Sequence, residues 1–337
     1  MADTIVCFGE VLLRLSAPGR ETLLQSTSLD ARFGGAEANV AVALARLGER
    51  ARMAGVLPDN AIGRAARDEL RRHGVDVSGL GWADGRMGVY YLTHGAMFRP
   101  PEVLYDRANS VFALMQPDVV DWDALLADAR FLHMSGITPA LGPNSAREAL
   151  RAARAADRLG IPLSMDGNYR AKLWDAWDGD SAAILHELFA LAYIAFADAR
   201  DIALVLQRGF DGDRQDTLRA AAAAAFDAFP KLHRIACTCR DHVSVDRQAL
   251  SARMFTREAD FTARTYELDH IVDRIGAGDA FVGGLLHALV RGRDDAAALE
   301  FALAAAVLKH SVPGDFNLVD ADEIQALVAQ EGLHVRR

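Results

Sequence analysis

The sequence predicts an α/β fold with a mainly parallel sheet flanked by helices, and a small β-sheet beside it. Short β-rich apolar runs alternate with helix-length segments, a β-α-β-α rhythm that needs crossover helices. Glycines punctuate the ends of those helical segments. The rhythm breaks once, between Gly85 and Phe112, where aromatic β-rich segments follow one another with no helix between them.

Thr4 to Phe8 reads as a buried parallel strand ending at Gly9. Leu12 to Phe33 alternates loosely and turns at Pro18-Gly19. After Gly34-Gly35, Ala38 to Leu47 reads as a helix closed by Gly48. Arg52 to Val56 is the next expected strand, and Gly63 to His73 the next helix, with Gly74 at its end. Val89 to Thr93 and Val103 to Tyr105, joined through Gly95 and Pro100-Pro101, read as a hairpin. With 12–33 they would make a separate sheet inserted in two pieces. The expected division is therefore 1–11, 34–85 and 113–337 for the α/β unit, and 12–33 with 86–112 for the small sheet. The rhythm resumes with a strand at Phe131 to Met134, a helix at Asn144 to Leu159 and a strand at Pro162 to Met165. Arg234 to Thr238 is the last expected strand. An irregular stretch then leads to a long helical region from Ala277 onward.

Composition narrows the function classes. The chain has 337 residues, 51% hydrophobic and 25% charged, which supports a large buried core and excludes disorder. A net charge of −9 without a long basic run excludes a general nucleic-acid or membrane-surface binder. Only Lys172, Lys231 and Lys309 are lysines, so 34 of the 37 basic residues are arginine. A GC-rich genome accounts for most of them, but arginine also suits carboxylate and phosphate. Cys7, Cys237 and Cys239 match neither a disulfide framework, a redox CxxC nor a zinc site. The N-terminus does not resemble a signal peptide, and the longest apolar stretches, such as 188–197, are too short to span a bilayer. A cytoplasmic protein is expected.

Several motifs are missing. No lysine follows a glycine, so a Walker A loop is excluded. The sequence contains no Gly-x-Gly-x-x-Gly, HExxH or Gly-x-Ser-x-Gly, which removes dinucleotide-binding Rossmann enzymes, zincins and α/β-hydrolases. The sharpest motif present is Asp273-Arg274-Ile275-Gly276-Ala277-Gly278-Asp279-Ala280-Phe281. Two glycines before a helix let backbone N–H groups converge, and the helix dipole makes that point an anion site. Asp279 would then serve as base for an attacking hydroxyl, or else as a plain helix cap. Gly34-Gly35 with Asn39 could admit a ligand closely and bind its hydroxyls, or form a simple turn with a buried amide. Asp166-Gly167-Asn168-Tyr169-Arg170 follows a strand, where α/β enzymes place ligands. Tyr105-Asp106-Arg107 lies on the expected hairpin, and Arg107 with Arg170 could clamp a carboxylate.

These residues in this order resemble the ribokinase-like (PfkB-type) carbohydrate kinases, over nearly the whole chain from Gly9-Glu10 to Pro313-Gly314-Asp315. Gly34-Gly35 with Asn39 resembles the first signature of that family, and Gly276 to Asp279 the second. Tyr105-Asp106-Arg107-x-x-Ser110 and Asp166-x-Asn168-x-Arg170 are similar to the 2-keto-3-deoxygluconate kinases within it. The resemblance implies a ribokinase-like fold whose small sheet is a lid, with lids paired in a homo-oligomer. It implies ATP along the C-terminal half, Mg²⁺ bridging its phosphates, and leaves a monovalent cation open. Asp279 would take the hydroxyl proton as a weak base, late in a loose transition state, with Gly276, Ala277 and Gly278 supplying the oxyanion hole. Tyr91, Tyr105, Arg107, Arg170 and Asp315 would hold the sugar acid. The Asn-x-x-Glu usual in the family stands here as Asp198-x-x-Asp201, expected to meet Mg²⁺ through water. Thr238 and Arg240 occupy the nucleotide segment, with Gly276 and Gly278. The implied reaction is phosphorylation of 2-keto-3-deoxygluconate to its 6-phosphate. Fructose, another keto sugar, the galactonate epimer or a nucleoside are rival substrates, and a non-catalytic sugar-acid sensor is a rival of another class.

Overall fold

A computed structural model describes residues 3–116, 118, 120–212 and 214–329, so both ends of the expected α/β unit lie outside the described residues. In chain order the first elements are β1 (Thr4–Phe8), β2 (Leu12–Ser16), β3 (Asp30–Gly34), α1 (Ala36–Arg46), β4 (Arg50–Pro58), α2 (Ala61–Arg72) and β5 (Asp76–Ala83). Then follow β6 (Gly88–Thr93), β7 (Glu102–Asp106), α3 (Trp122–Leu125), β8 (Ala129–Ser135), α4 (Ile137–Ala140), α5 (Pro143–Arg158) and β9 (Leu163–Asp166). The middle of the chain gives α6 (Ala171–Asp175), α7 (Ser181–Leu191), β10 (Ala192–Phe196), α8 (Ala199–Leu206), α9 (Arg214–Ala228) and β11 (Arg234–His242). The last elements are β12 (Gln248–Phe255), β13 (Asp260–Thr262), β14 (Tyr266–Leu268), α10 (Ala277–Val290), α11 (Asp295–Lys309) and α12 (Ala321–Val328).

The main sheet has ten strands, ordered β13-β12-β11-β10-β9-β8-β1-β4-β5, with β14 also on β12. Strands β5 through β11 of this order pair in parallel, and their central members are apolar throughout because both faces carry helices. All five residues of β1 are buried. The pairing β11–β12–β13 is antiparallel, so the stretch read as irregular from sequence is a meander that closes one end of the sheet. Short length and mixed polarity hide β13 and β14 from pattern reading. Strand β10 was hidden differently: its AYIAF runs on from the apolar end of α7 without a turn residue. The long C-terminal helix is two helices, broken at Gly292 and restarted where the Asp294 side chain caps Ala297 N–H.

A second sheet, β3-β2-β6-β7, stands apart from the first. Strand β2 alternates buried and half-buried residues, as a sheet with one covered face requires. Two apolar clusters lie on opposite faces of the main sheet, one under α1, α10 and α11, the other under α5, α7 and α9. Strand order reverses at β1, which has β4 on one side and β8 on the other. The crevice beyond the carboxyl ends of these strands is where a sheet of this type takes ligands. Among the described residues, no helix is long and apolar enough to cross a membrane.

Candidate active site

The site is built on the N-terminus of α10. Its N-cap is Gly276 at φ 81°, a left-handed conformation, and no side chain caps the helix. A Cβ on Gly276 would lie 1.9 Å from the Asp315 carbonyl oxygen, so the turn tolerates only glycine. A Cβ on Gly278 would meet nothing within 4 Å. The helix start therefore faces open space with its dipole and first-turn amides, the geometry of an anion site.

Asp279 lies in that first turn. Asn39 Nδ2, from the first turn of α1, donates to its Oδ2 at 2.6 Å. Asn39 Oδ1 is buried without a hydrogen-bond partner, which leaves an acceptor for a ligand hydroxyl. Burial pushes the Asp279 carboxyl up to about 7, with the Glu37 and Asp315 charges adding and the Asn39 bond opposing. The carboxyl is thus a stronger base than an ordinary aspartate, though still far weaker than the alkoxide of an attacking hydroxyl. Glu37 sits beneath at the strand-order reversal, accepting from Ser135 N–H at 2.8 Å, Ser135 Oγ at 2.6 Å and Thr138 Oγ1 at 2.8 Å.

A cavity of about 540 Å³ opens beside Gly278, lined by Asp166, Asp198, Asp201, Thr238 and Arg240 among others. Asp198 and Asp201 form a reciprocal capping box at the start of α8: Asp198 Oδ1 accepts from Asp201 N–H at 3.2 Å, and Asp201 Oδ2 accepts from Asp198 N–H at 3.0 Å. Asp198 also pairs with Arg200. The same spacing thus caps the helix, and among the described residues no group of three or more His, Cys, Asp or Glu could hold a metal ion by itself. Burial and the Asp198 charge still push Asp201 up to about 6. Asp166, at the end of β9, is raised well above the ordinary carboxylate range by burial and by Asp279 and Asp201. These hard oxygen groups suit Mg²⁺ in the way that ion is held, by one or two carboxylates, waters and substrate phosphates.

Arg240 and Arg274 come together on the same side. Burial and the Arg274 charge lower the Arg240 pKa, and burial lowers that of Arg274. Arg274 donates to Gln248 Oε1 at 3.0 Å, while its buried Nε has no partner. Two desolvated guanidiniums side by side favour an anion.

The small sheet reaches the turns beside the helix start through Arg14 and Tyr90, which both bond Asp315. Tyr90 is paired with Tyr105 across β6 and β7, so both stand on one face, their rings 6.0 Å apart. Tyr90 is 4% exposed and donates to Asp315 Oδ2 at 2.5 Å. Tyr91 pairs with Leu104 and stands on the other face, so the tyrosine of β6 on the site side is Tyr90, not Tyr91. Arg107 is buried, with Nε donating to Glu10 Oε2 at 2.9 Å and Nη2 to the same oxygen. Its carboxylate is therefore first an internal one, and only Nη1 stands outside the pair. Ser110 Oγ donates to Glu10 Oε1. Arg170, by contrast, is exposed, donating only to the Tyr169 carbonyl at 3.1 Å, and its charge reaches Asp279 and Asp166.

Asp315 is 3% exposed and has both oxygens engaged, Oδ1 by Arg14 at 2.9 Å and Oδ2 by Tyr90. Arg14 and Tyr90 fix its place in the fold. Gly34 and Gly35 lie against the same region. A Cβ on Gly34 would lie 2.1 Å from Asp315 Oδ2, and one on Gly35 would lie 2.2 Å from the Glu10 carbonyl oxygen. The pair makes room for the protein's own groups. Glu10, Arg14, Glu37 and Tyr90, which the structure gathers around the helix start, have no place in the expected site, while Asp166 and Arg274 stand in its motifs without an assigned role. Buried charges in apolar or turn sequence were the available signal at Glu10, Arg14 and Glu37.

Comparison with known proteins agrees with this geometry. The model of the pfkB family carbohydrate kinases matches residues 2–321. A 2-dehydro-3-deoxygalactonokinase of Haloferax volcanii is 36% identical over 328 residues, 97% of each chain. A 2-dehydro-3-deoxygluconokinase of Thermotoga maritima superposes with a TM-score of 0.92 at 35% identity, covering 98% of this chain and 99% of its own. Probable fructokinase-2 of Arabidopsis thaliana is 27% identical over 88% of this chain and 83% of its own. The open helix start at Gly278, the aspartate held beside it and these matches lead to one conclusion: the chain belongs to the pfkB family of carbohydrate kinases.

Proposed function

We propose that the protein transfers the terminal phosphoryl group of ATP to the terminal hydroxyl of 2-keto-3-deoxygluconate, giving the 6-phosphate. The observation that carries this reading is the placement of Asp279 at an uncapped helix start, held by Asn39 and within reach of the Arg170 charge. The sugar hydroxyl oxygen attacks phosphorus, the bond to the ADP oxygen breaks, and the hydroxyl proton passes to the Asp279 carboxylate. A pKa raised to about 7 makes Asp279 a better acceptor than an ordinary aspartate while leaving proton transfer late. The α10 amides and the arginines Arg240 and Arg274 meet phosphate oxygens, and Thr238 lines the nucleotide side. Asp166 and Asp201 would hold Mg²⁺, directly or through water, and the ion would supply neutralisation of phosphate charge.

The acid end of the sugar is assigned to Arg170 and to Nη1 of Arg107, with Tyr90 and Tyr105 along the ring and Asn39 Oδ1 accepting a hydroxyl. The small sheet acts as a lid over this cleft. Its Met97, Phe98 and Leu104 are exposed at 71%, 86% and 56%, and a second copy of the lid would cover them. Light scattering on the wild type and on Phe98→Asp tests that pairing.

The galactonate epimer is a second substrate reading, favoured by the Haloferax relative. An ADP-release assay over both sugar acids, fructose and a nucleoside decides the substrate. Turnover of fructose with none of either sugar acid would overturn the reading. Binding of a sugar acid without ADP release would make the protein a sensor. Repeating the assay in sodium, potassium and cation-free buffers shows whether a monovalent cation takes part.

A further inference from the structure

Two cations and two carboxylates are buried together between the small sheet and the start of α10. Arg14, on β2, is 1% exposed, and Lys309, at the end of α11 and one of only three lysines, is 0% exposed. Arg14 Nη2 is 2.7 Å from Asp273 Oδ2, and its Nη1 is 2.9 Å from Asp315 Oδ1. Lys309 Nζ donates to the Val312 carbonyl at 2.9 Å and interacts electrostatically with Asp273, Asp315 and Asp279. Such clusters cost desolvation and rarely add net stability, so their retention points to a geometric requirement.

The geometry here is specific. Asp273 Oδ1 accepts from Ile275 N–H at 3.0 Å, and Oδ2 accepts from Gly314 N–H at 2.9 Å. One carboxylate therefore ties the turn that precedes Gly276 to the turn that follows α11. The Asp315 carbonyl lies directly against Gly276. A single side chain from the small sheet, Arg14, thus grips both turns that shape the helix start, while Tyr90 on the neighbouring strand grips Asp315 as well. None of these groups reaches the open space at Gly278.

We propose that Arg14 is a positioning residue that latches the lid to the anion-binding turn, so that sugar closure and phosphate-site order are one event. This rests on the lid reading of the small sheet. Lys309 balances the second carboxylate from below, which keeps the cluster neutral when the latch is made. A sugar that seats Tyr90 and Tyr105 draws β2 and β6 inward, and Arg14 transmits that seating to Asp273 and thence to the Gly276 turn. ATP and sugar accordingly favour each other's binding, and water is a poor acceptor while the lid is unlatched.

The test uses the full chain as wild type, Arg14→Met, Arg14→Lys and Asp273→Asn, each checked for folding by circular dichroism. Hydrogen exchange without ligands should rise at both 12–16 and 272–279 in Arg14→Met, with β1 and β8 still protected. Affinity for a non-hydrolysable ATP analogue with Mg²⁺ is measured with and without whichever sugar the wild type phosphorylates. The sugar-induced gain in affinity should vanish in Arg14→Met, and kcat/KM should fall by roughly 100-fold, the scale of a small misplacement of the groups that position the reacting atoms. Arg14→Lys, whose single ammonium cannot bridge two carboxylates, should lose the gain while retaining its fold. Unchanged coupling in either variant, or exchange that rises at 12–16 alone, would overturn the latch. If Arg14→Met does not fold, Arg14→Lys and Asp273→Asn carry the same two readouts. The exchange readout needs no sugar, so failure of the substrate assignment and failure of the latch are separable.

Discussion

The raised Asp279 carboxyl gives the reaction a measurable pH signature. At an ordinary value of 3.8 the group would be fully ionised at pH 6 and the rate would be flat from there to pH 8. At about 7, roughly one-tenth of the enzyme carries the base form at pH 6 and roughly nine-tenths at pH 8, a gain of about tenfold in kcat. The assay is ADP release at saturating MgATP and sugar acid, with wild type and Asn39→Ala in parallel. Asn39 donates to the carboxylate and holds its pKa down, so its removal moves the rising limb to higher pH. The same shift has a stability sign. The unfolded carboxyl releases its proton near 3.8 and the folded one only near 7, so stability is lost as pH rises between those values. Asp279→Asn should therefore raise the Tm at pH 8 and do so progressively less toward pH 4, while abolishing turnover. A flat profile between pH 6 and 8, or a Tm gain independent of pH, would refute the argument that burial sets this carboxyl.

Further outcomes follow from individual side chains. Tyr90→Phe should raise the KM for sugar acid by about tenfold through loss of the Asp315 bond, whereas Tyr91→Phe should change it less than twofold. Steady-state kinetics on the pair separates the two faces of β6. Gly276→Ala places a methyl 1.9 Å from the Asp315 carbonyl oxygen in a left-handed turn, and should cost about 3 kcal/mol or more by urea unfolding. Arg274→Met should raise the KM for ATP by about tenfold and leave that for sugar unchanged, as initial rates will show. Arg170→Ala should weaken a sugar acid far more than a neutral keto sugar, and equal losses in competition assays would remove the carboxylate assignment.

The alternation of TIVCF, helix and RARMAGVLP was enough to place a parallel sheet, because a strand covered on both faces must be apolar along its length. Gly276 and Gly278 marked the anion site for a reason equally local: a backbone that must turn left or lie open to a ligand excludes a side chain. Asn39 was legible as a candidate, but its partner lies 240 positions away, and that pairing exists only after α1 and α10 pack together.

The pairings that the sequence left open share one cause. Tyr90 and Tyr91 are adjacent tyrosines, and nothing in their order says which one faces the cleft. The pairing of Tyr90 with Tyr105 decides it. Arg107 and Asp315 are expected to hold the sugar acid, and the structure adds that Glu10 and Arg14 already pair with them from distant strands. Asp198-x-x-Asp201 is expected to meet Mg²⁺ through water, and the structure shows that the same spacing also closes a capping box at α8. Sequence by itself determined the sheet, the glycine turn and the aspartate beside it, since each depends on conformational limits of a few neighbouring residues. Only the tertiary structure decided which charges meet each other, because the energy of a charge is set by what desolvates and pairs it across the fold.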